Sequence, residues 1–84
     1  MLRPVQPRSA AALGRPSGTG VQIRAVSDLR VGDVVEIRTW DTVHCRGEVD
    51  AVCPRLGVLW VLDGRLRDRM RVEASGHTVW RLPR

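Results

Sequence analysis

Arg65, Arg67, Arg69 and Arg71 recur at every second position, directly after an Asp63-Gly64 pair. Alternate side chains of a β-strand share a face, so this spacing lays four guanidiniums in one row. Guanidiniums grip phosphates and carboxylates bidentately and stack on aromatic rings, which is binding chemistry rather than bond-making. Trp60 and Trp40 are the aromatic side chains that would stack beside such a row, as on platforms for single-stranded nucleic acid. The competing reading is a solvated strand face. Its arginines would pair weakly with neighbouring acids and protect a sheet edge from association.

Groups that could break or make bonds are sparse. His44 and Cys45 are adjacent, so strand alternation separates their side chains and they form no dyad. Ser75 and His77 can meet in a turn, but no third group or oxyanion pocket accompanies them. His44, Cys45, Cys53 and His77 are the soft ligands, and their spacing fits no zinc pattern. Gly18-Thr19-Gly20 lacks the preceding strand and the following Lys-Ser/Thr of a phosphate loop. No catalytic residue, metal site or cofactor is expected, and the chain does not read as an enzyme.

The elements that must carry the arginine row follow from hydrophobic period. Residues 34–39 alternate, with Val35 and Ile37 inward and Glu36 and Arg38 outward. Residues 43–53 form a second strand with apolar odd positions, placing Cys45 and Cys53 toward the core, and Gly47 inside it marks a bulge or bend. Residues 54–57 are a turn opened by Pro54. Residues 58–62 are apolar on both sides, as in a central strand. Asp63-Gly64 is the strongest two-residue hairpin signal in the chain, and residues 65–72 form the returning arm. Residues 73–77 are a tight link and 78–82 a fifth short strand. The three tryptophans are expected to supply core bulk, Trp80 above all, with Trp40 partly exposed at a strand-to-loop junction. Loop length decides where Trp60 points. With a two- or four-residue connection it falls opposite Arg67 or Arg69 on the arginine face; with three or five it turns inward beside Met70.

Five strands and no helical period predict an all-β domain over residues 25–84, closed as a five-stranded barrel to remove exposed edges. Residues 1–24 contain no acid and no hydrophobic period, and are expected to be a disordered basic tail. Net charge is +5, but all nine acids and nine of the fourteen cations lie between Asp28 and Leu82. The domain is therefore neutral and any basic patch on it is local. Every cation is Arg, and Lys, Asn, Phe and Tyr are missing; a GC-rich coding sequence explains this as readily as a guanidinium requirement. Two cysteines about 26 Å apart on a straight strand form no disulfide framework and suit a reducing cytoplasm. No apolar run approaches the roughly 20 residues of a membrane span.

Val31-Gly32-Asp33-Val34-Val35-Glu36-Ile37, Arg46-Gly47-Glu48-Val49 and Val58-Leu59-Trp60-Val61 together resemble a small SH3-like β-barrel, similar to the KOW, Tudor and Sm-type modules. The resemblance covers residues 29–82. It implies a non-catalytic binding module: KOW-type members bind RNA or the transcription and translation apparatus, and Tudor-type members bind methylated peptides through an aromatic cage. With three tryptophans and no Tyr or Phe, such a cage is poorly supplied here. The expected partner is nucleic acid or a ribonucleoprotein, held by the arginine row with Trp60 or Trp40. The alternative is a protein–protein or oligomerisation module that docks an acidic protein surface. Oligomeric state is open.

Overall fold

A computed structural model describes residues 14–65 and 67–83. Six antiparallel strands form one sheet: β1 (Val21–Ile23), β2 (Val34–Thr39), β3 (Thr42–Cys53), β4 (Val58–Asp63), β5 (Arg69–Glu73) and β6 (Thr78–Arg81). Their order across the sheet is β1-β6-β2-β3-β4-β5. The four strands β2 to β5 are a meander, and β6 returns to lie beside β2. Three short 3₁₀ turns, Val26–Asp28, Pro54–Leu56 and Ala74–Gly76, make the remaining corners.

Two expectations are corrected here. The hydrogen-bonded ladder is open, with β1 and β5 as its ends, rather than a closed five-stranded barrel. The sixth strand, β1, falls inside the segment read as tail; residues 1–13 of that segment lie outside the described residues. Three residues pairing with β6 are too short to show a hydrophobic period, so composition alone could not reveal them.

Local chemistry sets the corners. Arg30 to Asp33 close a turn in which the Asp33 amide donates to the Arg30 carbonyl and the Arg30 amide donates to the Asp33 carboxylate. Gly32, at the third position with φ 96°, supplies the left-handed geometry that such a turn demands. The twelve-residue β3 pairs with β2 through its first half and with β4 through its second. The two ladders overlap at Gly47, where a Cβ would sit 1.8 Å from the Leu62 carbonyl oxygen. Glycine is required there for close backbone approach, and the ladder irregularities lie elsewhere, at Ile37/Arg38 and Val49/Ala51.

The second irregularity reverses side-chain parity. Cys45 and Val49 face the core before it, and Val52 packs on the core after it. Cys53, expected inside with the odd positions, is therefore only half-buried, while Cys45 is fully buried. The core is aliphatic: Leu29, Val35, Ile37, Cys45, Val49, Leu59, Val61, Val72 and Val79, with Ile23, Val52 and Met70 packed against it. Trp80 was expected in it and is not, Trp60 takes the outward of its two alternatives, and Trp40 is exposed as its junction position suggested. Trp60 and Trp80 are half-buried on the opposite face, and Trp40 is 92% exposed. Branched aliphatic side chains fill a thin sheet interior that indoles would overpack.

Candidate functional site

The connection between β4 and β5 is not the tight Asp-Gly turn expected from sequence. Asp63 is buried and binds its own loop. Its carboxylate accepts from the Arg65 amide (2.8 Å), its carbonyl accepts from the Arg67 amide (2.9 Å), and its amide donates to the Asp68 carbonyl (2.8 Å). An Asp side chain that caps the following backbone competes directly with a type I′ turn. β5 therefore begins at Arg69, and the row of four arginines is split. Arg69 and Arg71 stand on the strand, whereas Arg65 and Arg67 project from the loop, both exposed.

Trp60 nevertheless joins the arginine face. Leu62 pairs with Arg69 and Trp60 with Arg71, so the even number of intervening residues, 63 to 68, preserves parity. Met70 and Val72 point to the core on the other side. The Arg69 guanidinium lies 5.2 Å from the Trp60 ring centroid, and its Nε donates to Asp50 (2.6 Å). Asp50 sits where the β3–β4 register shifts, so this irregularity of β3 helps hold Arg69 over the indole. Both partners are well exposed, which limits the pair to about 0–1 kcal/mol of stability and the stacking to a similar amount.

A second constellation, not anticipated, occupies the same outer face at β2, β3 and β6. Glu36 and Arg38 were expected to be solvated; they are 0% and 7% exposed. The Glu36 carboxylate accepts from Arg38 Nε (2.6 Å), Arg46 Nε (2.5 Å) and the Ser17 amide (2.9 Å). Arg38 stacks 4.0 Å from the Trp80 centroid, and Trp80 Nε1 donates to Thr78 Oγ1. Burial pushes the Glu36 carboxyl up, but the hydrogen bonds from Arg46, Ser17 and Arg38 outweigh it and hold the group below the usual glutamate range. Part of this cluster was legible, since Glu36 and Arg46 face each other across the β2–β3 hairpin. Its cover, residues 14–20, was not.

Trp40 stands apart from Trp60. It occupies a two-residue turn between Thr39 and Thr42 with φ 56°, a conformation that costs a bulky residue roughly 1–2 kcal/mol. Thr42 and the Ala51 that faces Trp60 are nine residues apart on β3, about 30 Å along the strand. Trp40 instead borders an open cleft with Arg38, Ser75, Gly76 and His77. His44 and His77 meet edge to face at 5.7 Å, and among the described residues no three His, Cys, Asp or Glu side chains converge as metal ligands would. Burial, with Asp63 nearby, pushes the Cys45 thiol up to about 12, so this buried sulfur stays protonated at neutral pH.

Fold and sites together define a small all-β domain with one exposed and one covered Arg–carboxylate–Trp cluster. The chain matches no family model, no curated protein and no solved structure. Among the described residues no helix is long and apolar enough to cross a membrane.

Proposed function

We propose that this chain is an SH3-like binding module that contacts single-stranded nucleic acid, free or within a ribonucleoprotein, through the outer face of β4 and β5. In favour of the SH3-like assignment are the four-strand meander, the long β3 shared between two ladders, the 3₁₀ turn before β6 and the return of β6 to β2. One observation carries the binding reading: Trp60 lies on the arginine face, between Arg69 stacked over it and Arg71 as its cross-strand partner. An indole offers a base a stacking surface that any sequence can use, while the guanidiniums neutralise phosphates. Arg65 and Arg67 extend the cationic edge from the loop. The module is non-catalytic, needs no cofactor and works in the cytoplasm.

Titration with labelled oligouridine and oligothymidine tests this. Binding is expected at low salt, with affinity falling linearly in log–log plots as salt rises. Absence of binding at low salt contradicts it. The Arg69–Asp50 ion pair favours a second reading, because it lowers the positive charge of the platform and leaves a mixed surface suited to an acidic protein partner. Light scattering that finds a stable oligomer or protein complex indifferent to polyanions would select that reading instead.

A further inference from the structure

Residues 14–20 form no strand, yet they cross the outward side chains of β2, β3 and β6. Among the described residues, the hydrogen bonds that tie residues 15–17 to the sheet go to their main chain. The Ser17 amide donates to Glu36 (2.9 Å), the Ser17 carbonyl accepts from Arg38 Nη2 (2.7 Å), and the Arg15 carbonyl accepts from Arg46 Nη2 (3.2 Å). The side chains of Ser17 and Thr19 bond to each other (3.1 Å) rather than to the sheet. At Gly20 space is tight: a Cβ would lie 3.2 Å from Trp80 and Leu82 and 3.3 Å from Arg38.

The receiving side chains also bind one another. Arg38 and Arg46 both spend Nε on the buried Glu36, which turns their Nη2 groups outward as fixed donors. Trp80 backs the Arg38 guanidinium at 4.0 Å. What remains facing outward is one acceptor and two donors, arranged for the Ser17 amide and the Arg15 and Ser17 carbonyls, with a small residue favoured three positions on, beyond the turn at residues 18–19.

We infer that Glu36, Arg38, Arg46 and Trp80 form a receptor groove for a turn-containing main-chain segment, filled within one copy by residues 15–20, and that it accepts the same segment from a second copy. The cis segment is attached to the sheet by the three residues of β1, whose pairing with β6 is the last rung at that edge. It competes at the high effective concentration of an intramolecular ligand, near millimolar for a short flexible tether. Trans binding to the unmodified chain is therefore weak, and becomes strong when the cis segment alone is impaired.

Ser17→Pro in the full chain removes the amide that Glu36 accepts while leaving the groove intact. By fluorescence anisotropy, a labelled peptide spanning residues 14–20 is expected to bind this variant at least about tenfold more tightly than the unmodified chain, as loss of a charge-assisted hydrogen bond implies. A peptide with Pro at the position of Ser17, or Val at that of Gly20, is expected not to bind. Equal binding of native and Pro-substituted peptides, or no gain in the variant, overturns the inference. Should the variant fail to fold, the unmodified chain decides. Millimolar unlabelled native peptide must then displace the chain's own segment and shift its Ser17 and Gly20 amide NMR signals, while the Pro-substituted peptide leaves them in place. No shift, or the same shift from both peptides, overturns it.

Discussion

Arg69–Asp50–Trp60 and Arg38–Glu36–Trp80 are built from the same three chemical groups on the same face of one sheet, with the same 2.6 Å ion-pair distance. They differ in what lies over them. Residues 14–20 cover the second, leaving its arginine and carboxylate side chains 8% and 0% exposed, against 52% and 38% in the first. In water-exposed surroundings an ion pair is screened and interchangeable with solvent, so its arginine can be traded to a ligand phosphate at little cost. Buried, the same pair becomes obligatory, because either partner alone would be an uncompensated charge. Cover, not composition, separates a site available for binding from a fixed structural joint.

The largest effect is expected where the joint is broken. Glu36→Ala leaves two guanidiniums converging on an empty acceptor and should cost about 3–5 kcal/mol by urea denaturation. A loss below about 1 kcal/mol would mean that the cluster is effectively solvated. Acid should act on the same group. Its carboxyl lies below the ordinary 4.5 when folded, so the ionised form contributes stability that is fully present above that value. This contribution is lost as pH falls through the lower folded value. Thermal unfolding from pH 7 downward should therefore show the unmodified chain losing more stability below pH 4.5 than Glu36→Gln does. Parallel curves would contradict it. Asp50→Asn tests the exposed cluster and should change stability by no more than about 1 kcal/mol, because Arg69 keeps its water and its indole. The same change should tighten nucleic-acid binding by releasing Arg69. Weaker binding would show that Asp50 is needed to orient the guanidinium.

Strand positions were legible wherever apolar residues alternate: β2 matches its expected bounds, and β3 and β6 differ by one residue at one end. The departures have local physical causes. Asp63 caps the backbone after it, delaying β5 from Arg65 to Arg69, and the register shift between Val49 and Ala51 turns Cys53 off the core. Alternation could tell that Glu36 and Arg38 share the outer face. It could not tell that this face is covered, because the covering segment is held through its main chain and leaves no side-chain pattern. For Trp60, parity alone decided the outcome: an even connection of either length puts it with the arginines. For Trp80, neighbours of similar apolarity suggested the core, whereas cross-strand pairing with Glu36 places it outside.

The most direct measurement compares the unmodified chain with the double variant Arg69→Gln, Arg71→Gln in titrations with oligouridine at two salt concentrations. The exposed cluster should be dispensable for folding and necessary for binding. Unfolding should stay within about 1 kcal/mol of the unmodified chain, while affinity falls at least roughly tenfold and the log–log salt slope shrinks by about one to two. A variant that unfolds, or that binds with unchanged affinity and salt slope, would contradict the assignment of β4 and β5 as the binding face.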